Sequence, residues 1–300
     1  MPETLESLRA SFNRSLRVEG KADRTLVLYG QSITYFSGWL AEQGLTADLS
    51  ALTRDNVLDW LASLRARALT DGTIRTRWRG LRRFVNWLLA EDIMATDPLG
   101  GIAVEKPEPS PVPVFTDVEL ASLLRACRGK GFNDLRDAAV IRLLIDCGLR
   151  VGELTGINID DLDLDGESVK VTGKGSRVRL AYFGSKTGLA LDRYLRVRRG
   201  HRHAADAVLF LGERGRFTAD GVRERLKVRA EQAGLDPALV HPHRFRHTHA
   251  HDFLLAGGQE RDLMRLLGWR SEAMLSRYGA SAADHRAREA ARRLRRGDRV

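Results

Sequence analysis

Gly148-Leu149-Arg150-Val151-Gly152-Glu153-Leu154 is the stretch on which the reading of this chain turns. Residues 133–147 before it read as a helix, and a glycine directly after such a run is a common helix end, since it takes left-handed backbone angles without a side-chain clash. A short helix opens at about residue 151. Three strands follow, over 158–163, 167–172 and 177–183. Asp165-Gly166 reads as the first hairpin turn. Gly173-Lys174-Gly175-Ser176 reads as the second, which places Lys174 on an exposed tip. Helices return over 185–199, 219–233, 243–256, 259–267, 271–278 and 282–296. Helices, then a small antiparallel sheet, then helices predict an α+β unit.

Toward the N-terminus, Thr116-x-x-Glu119 is a capping box that opens a helix reaching about residue 127. Before it, residues 105–113 hold four of the chain's eight prolines, so this stretch favours extended polyproline geometry over helix or central strand. The expected division is a helical domain over 1–104, a linker over 105–113 and a larger domain over 114–300. The first domain reads as helices over 3–18, 22–43, 53–67 and 71–91, with Thr53 and Asp71 as N-caps. In the last of these, Ile74, Trp78, Leu81, Val85 and Leu88 recur at helical spacing and predict the core face. Arg75, Arg79, Arg82 and Arg83 flank that stripe. Alone they are a solvated basic face. With no interleaved acids to pair them, they favour a phosphate-contacting one.

Composition narrows the partners. The net charge is +10, and the excess comes from arginine, whose planar fork of donors matches phosphate oxygens. That balance points to a polyanion. Hydrophobic residues make up 43% and charged residues 29%, which suits a soluble protein with a real core. No apolar run approaches the ~20 residues of a membrane span. The start, Met1-Pro2-Glu3-Thr4-Leu5-Glu6, lacks the basic-then-apolar layout of a signal peptide, so the expected compartment is the cytoplasm. Cys127 and Cys147 lie in amphipathic segments and read as buried, reduced side chains, with a disulfide the lesser reading.

The chemistry gathers around a few residues. His243-Arg244-Phe245-Arg246-His247 opens a helix at Pro242 and sets His243 and Arg246 on one face; Leu267-Gly268-Trp269 and Tyr278 follow. Attack on a phosphodiester builds negative charge on the non-bridging oxygens, which fixed cationic donors stabilise more in the transition state than in the ground state. Arg150 and Arg246 are the natural pair, since arginine stays charged and binds bidentately. Tyr278 would be the nucleophile, its phenolate favoured by nearby guanidinium charge. His243 suits proton transfer, Lys174 suits protonation of the leaving 5′ oxygen, and Trp269 offers one indole N–H. Each has a plainer reading: a packed tyrosine, a capping histidine, a solvated turn lysine, a core tryptophan.

The ordered set Arg150, Lys174, His243-x-x-Arg246, Trp269, Tyr278 resembles the tyrosine recombinases, the phage integrase, Xer and Cre type. The step from Trp269 to Tyr278 and the Gly-Leu-Arg-x-Gly-Glu-Leu context of Arg150 match the family pattern, and Glu153 resembles its supporting acidic residue. The resemblance covers about residues 112–285. The N-terminal segment resembles the family's core-binding domain in size and helical character, without a matching motif. Many members carry histidine where this chain has Trp269. Since tryptophan cannot shuttle a proton, that position is expected to donate a hydrogen bond and pack.

The resemblance implies a mostly helical two-domain protein: a helical core-binding domain and an α+β catalytic domain with a small antiparallel sheet. It implies attack by Tyr278, a 3′-phosphotyrosyl link, a freed 5′ hydroxyl, and no metal, ATP or other cofactor. It further implies double-stranded DNA core sites as partner, a homotetramer on DNA with exchange of a C-terminal helix, and an accessory directionality protein in some settings. The alanines of residues 286–296 would serve the exchange, or pack on their own domain. Arg177, Arg244 and Arg270 join the four N-terminal arginines as expected DNA contacts. Other classes fit less. The histidines at 241, 243, 247, 249 and 251 have zinc-like spacing in part, but without a His-Glu-x-x-His motif or a cysteine pair. A helix-turn-helix regulator has no need of Tyr278. A type IB topoisomerase shares the chemistry, but the short helical domain and proline-rich hinge suit a recombinase clamp.

Overall fold

The computed structural model describes residues 3–105, 113–173, 177–270, 274–275, 287–288, 291–294 and 296–299. The chain forms two compact units, residues 1–109 and 110–300. The architecture is mostly helical with small antiparallel sheets.

The first unit is built from α1 (Leu5–Val18), α2 (Asp23–Glu42), α3 (Arg54–Ala66) and α4 (Asp71–Ala90). Apolar residues three and four apart bury one face of each helix: Leu5, Leu8, Phe12 and Leu16 of α1 meet Ile33, Phe36 and Leu40 of α2 and the Ile74–Leu88 stripe of α4. The α2–α4 approach is so close that a Cβ on Gly80 would stand 2.1 Å from Ser32 Oγ. Thr53 caps α3 through the Asn56 N–H, as its sequence predicts. Asp71 is not the cap of α4. Thr70 accepts the Thr73 N–H, and Asp71 stands in the first turn, where its charge faces the helix dipole favourably.

The second unit opens with α5 (Asp117–Arg125), whose Thr116–Glu119 capping box is formed, and α6 (Phe132–Cys147), which runs through the core. After α7 (Val151–Gly156) the strands differ from expectation. Residues 159–161 are a 3-10 turn, leaving β1 as Leu162–Asp163 only. The first hairpin turn is not a two-residue Asp-Gly turn. Leu162 pairs with Val169 and Asp163 with Ser168, so four residues connect them. Asp163 Oδ1 accepts the Gly166 N–H, and the left-handed position falls on Glu167, at φ 46°. β2 (Ser168–Gly173) and β3 (Arg177–Tyr182) pair antiparallel from Ser168–Tyr182 to Gly173–Arg177. Then come α8 (Ser185–Arg198), a small hairpin of β4 (Leu211–Gly212) and β5 (Gly215–Arg216) that sequence patterning does not signal, α9 (Ala219–Gln232), α10 (Pro242–Leu255) and α11 (Glu260–Leu267). The expected helices over 271–278 and 282–296 lie largely outside the described residues. No helix among the described residues is long and apolar enough to cross a membrane.

Three arginine arrangements hold this unit together. Arg198, at the end of α8, donates to the carbonyls of Ala204, Asp206, Val208 and Leu209, supplying the acceptors of an irregular loop with buried donors. Arg244 anchors the chain entering α5. It donates to Pro113 O, Val114 O and Leu239 O, pairs with Glu119 at 2.9 Å and lies 3.9 Å over the Phe115 ring. Asp137, 3% exposed, receives Arg136, Arg225 and Arg229 at 2.8–3.1 Å. Both cysteines are free and buried, and burial raises the Cys127 pKa to about 11.

Removing Asp137 would leave three guanidinium groups, two of them buried, without their shared counter-charge. Asp137→Ala is expected to destabilise the unit by about 3–5 kcal/mol, and Asp137→Asn by less. Urea unfolding followed by circular dichroism checks this; an unchanged midpoint for Asp137→Ala would contradict it.

Candidate active site

Two helix ends and one helix start make the site. α6 stops at Gly148, which has φ 55°, and α11 stops before Gly268, at φ 62°. Carbonyls at such ends lack intrahelical partners and carry the negative end of the helix dipole. Arg246, on the second turn of α10 and 1% exposed, answers both ends. Its Nη1 donates to Gly148 O at 2.7 Å and its Nη2 to Leu267 O at 2.6 Å. The Trp269 ring, 6% exposed, has its centroid 5.5 Å from the guanidinium carbon.

Glu153 of α7 adds the acidic element. Its carboxylate is buried, with 4% side-chain exposure. Oε1 accepts Arg150 Nη1 at 2.7 Å, and Oε2 accepts the Arg150 backbone N–H at 3.0 Å. Oε2 also lies 3.9 Å from Arg246 Nη1. Arg150 itself is 42% exposed at the side chain. The two arginines expected as a pair therefore stand in different settings: one reaches toward solvent from a fixed carboxylate, and the other is buried.

His243 stands exposed in the first turn of α10, one turn before Arg246, its ring 4.9 Å from that of buried His247. The cap of α10 is His241, whose Nδ1 accepts the Arg244 N–H. His249 donates from Nδ1 to Ile145 O at 3.2 Å. Among the described residues, no group of three His, Cys, Asp or Glu side chains is placed to hold a metal ion. The structure thus brings together Arg150, Glu153, Arg246 and Trp269, with His243 on the same helix as Arg246. Lys174, between the paired Gly173 and Arg177, and Tyr278 lie outside the described residues.

The expected DNA contacts divide. Arg244 departs from the expected exposed contact: it is 5% exposed, and its guanidinium is tied to carbonyls and Glu119, where it holds the fold. Arg82 pairs with Asp97 and Arg83 with Glu19, so acids do pair these arginines, from outside the helix itself. Arg75 donates to Val104 O. Arg79, Arg177 and Arg270 are exposed.

Sequence reading missed Arg179 of β3, whose Nη2 donates to Glu153 Oε2 at 2.9 Å. Strand alternation would turn the apolar set Val178, Leu180 and Tyr182 inward, yet these are 58%, 49% and 56% exposed, and the inward set is Arg179 and Ala181.

Residues 113–285 match the phage integrase family, and residues 8–95 match the phage integrase N-terminal SAM-like domain. The tyrosine recombinase XerD of Bifidobacterium longum (strain NCC 2705) is 31% identical over 260 residues, covering 83% of this chain and 84% of the relative. XerD of Pseudomonas putida (strain KT2440) is 33% identical over 274 residues, covering 89% and 90%. Among solved structures, the Tn1549 transposon integrase in complex with a circular intermediate DNA aligns with a TM-score of 0.75 at 21% identity, covering 97% of this chain and 99% of that one. A lambda integrase dimer bound to a COC′ core site aligns with a TM-score of 0.72 at 18% identity, covering 92% and 95%. These two likenesses establish the fold.

Burial pushes the His249 pKa below the ordinary histidine value of 6.5, the Ile145 bond opposing and the Arg246 charge adding to the shift. The folded state thus prefers the neutral ring. This contribution is complete above pH 6.5 and is lost as pH falls through the lower folded value, at up to ~1.4 kcal/mol per pH unit. His249→Gln is expected to flatten the stability decline between pH 7.5 and 5.5. Denaturant midpoints across that range test it; a slope equal to the wild type's would count against it.

Proposed function

The chain belongs to the phage integrase family, the tyrosine recombinases, and we propose that it recombines DNA with Tyr278 as nucleophile. It is a site-specific DNA recombinase, an enzyme that breaks and rejoins DNA. Tyr278 Oη attacks the scissile phosphorus. A bond forms from Oη to phosphorus as the bond from phosphorus to the 5′ oxygen breaks, leaving a 3′-phosphotyrosyl link. His243 takes the phenol proton, and Lys174 gives a proton to the departing 5′ oxygen. Arg150 and Arg246 stabilise the charge that gathers on the non-bridging oxygens, and Trp269 donates its indole N–H. The 5′ hydroxyl of a partner strand reverses the step. The phosphotyrosyl link conserves the energy of the broken bond, so rejoining needs no ATP.

One observation supports this reading most. A buried carboxylate, Glu153, holds Arg150 at 2.7 Å and stands 3.9 Å from Arg246, drawing together two cations that are far apart in the sequence. A buried acid among guanidinium groups, one of them reaching solvent, suits a site built to receive an anion.

In this reading, residues 1–104 form the core-binding domain, 105–113 the linker and 114–300 the catalytic domain. Double-stranded DNA core sites are the substrate. Arg79, Arg177 and Arg270 are the exposed contacts. Arg75, Arg82 and Arg83 each hold their present partner through one nitrogen and offer their remaining donors to phosphates. The enzyme works in the cytoplasm as a homotetramer on DNA, exchanging a C-terminal helix between protomers, with an accessory protein setting direction where direction is set.

Covalent capture tests the nucleophile. Wild type and Tyr278→Phe are incubated with nicked genomic fragments, denatured, and the protein-linked DNA ends are sequenced. Nicks let the freed strand diffuse away and so trap the link. The expected result is adducts at a few recurring sequences in the wild type and none in the variant. Adducts that persist in Tyr278→Phe would overturn the assignment, and adducts scattered without sequence preference would point to a topoisomerase.

A further inference from the structure

The Glu153 carboxylate meets three guanidinium groups, of which two, Arg150 and Arg246, have a place in the reaction proposed above. The third, Arg179, occupies a position that ordinarily takes an apolar side chain. It pairs across the sheet with Val171, which is 1% exposed, and shares its face of β3 with Ala181, which is 3% exposed. Its own side chain is 15% exposed. Burial pushes its pKa below the ordinary arginine value, with the Glu153 charge opposing and the Arg150 charge adding to the shift. Its Nη1 is buried and has no hydrogen-bond partner among the described residues. Nothing in the packing of the sheet calls for a charge here, and an apolar residue would avoid the desolvation cost.

The contacts of Arg179 indicate a purpose. Nη2 donates to Glu153 Oε2 at 2.9 Å, while Oε1 of the same carboxylate holds Arg150 Nη1. A carboxylate beside one arginine tends toward a two-pronged pair that engages two of its nitrogens. With Oε2 engaged by Arg179 and by the Arg150 backbone N–H, Glu153 grips the Arg150 side chain at one nitrogen only. The other nitrogens of the partly exposed Arg150 guanidinium are outside that bond. Arg179 and Glu153 also lie against backbone next to two further site residues. A Cβ on Gly268, the residue before Trp269, would stand 3.3 Å from Arg179 Nε, and one on Gly173, the residue before Lys174, would stand 3.4 Å from Glu153 Oε1.

We propose that Arg179 is a positioning residue for strand cleavage: it occupies Glu153 Oε2, so that Arg150 is oriented by one bond and keeps its remaining donors for the scissile phosphate. The proposal rests on the reading that Arg150 faces that phosphate.

The test compares Arg179→Gln and Arg179→Lys, each alone and combined with Arg150→Lys. Single-turnover rates of covalent adduct formation and DNA affinity are measured on a nicked substrate carrying a captured site. Arg179→Gln is expected to slow adduct formation ~10–100-fold with affinity within about twofold, the scale on which small displacements of a catalytic group act. Arg179→Lys, which restores a cation to Glu153, is expected to recover most of that loss. In the Arg150→Lys background Arg179→Gln is expected to cost little more, because the two act through one contact. Three results would overturn the proposal: a wild-type rate for Arg179→Gln, losses that multiply in the double variant, or a rate loss matched by lost affinity. If Arg179→Gln fails to fold, Arg179→Lys decides alone: a rate within about tenfold of wild type, with no further cost in the Arg150→Lys background, supports the proposal, and a larger loss or a multiplied cost there refutes it. A wild-type enzyme that forms no Tyr278-dependent adduct would instead refute the recombinase mechanism itself, which separates the two failures.

Discussion

The C-terminal ends of α6 and α11 meet on one buried guanidinium. Two sets of helix-end carbonyls brought close would repel and, buried, would lack donors. Arg246 supplies both, one nitrogen to Gly148 O and the other to Leu267 O. The rest of the site follows. Arg150 stands where it does because α6 ends at Gly148, and Trp269 because α11 ends at Gly268. His243 shares the helix that carries Arg246 into place. In the proposed mechanism Arg246 faces the phosphate charge, and it is also the brace on which its neighbours are mounted, so in that reading fold and chemistry cannot be varied separately.

The catalytic unit uses one device twice. Asp137 and Glu153 are both buried carboxylates, and each is ringed by three arginines. Around Asp137 two of the arginines, Arg136 and Arg229, also bond to carbonyls such as Leu211 O and Ala126 O and to Asp134, while Arg225 is 30% exposed at its side chain. Around Glu153 one arginine, Arg150, remains 42% exposed at its side chain. The same electrostatic motif thus holds α6 and α9 together in one place and, in the other, gathers the residues of the candidate site.

What was legible in the sequence was what is local. The apolar stripe of α4, the Thr116–Glu119 box, the Gly148 stop and the spacing of His243 and Arg246 all depend on near neighbours in the chain, and each is found as read. What failed depends on distant partners or on fine competition. Arg244 looks like any arginine of a basic helix until Pro113, Val114 and Glu119 are folded against it. Arg82 and Arg83 find Asp97 and Glu19 outside their own helix. Asp71 lost the cap to its neighbour Thr70, a competent acceptor one residue earlier. The inward turn of Arg179 runs against the hydrophobic alternation of its strand, and only the tertiary position of Glu153 explains it.

Arg244 also has a mechanical meaning. The backbone entering the catalytic unit is fastened to the first two turns of α10 by the carbonyls of Pro113 and Val114, by Glu119 and by the Phe115 N–H on Thr248. Tension arriving along the chain at residue 113 is borne there first, two residues from Arg246, on the helix that also grips two other helix ends. Load is therefore delivered to the site's own mounting and does not dissipate in a slack loop.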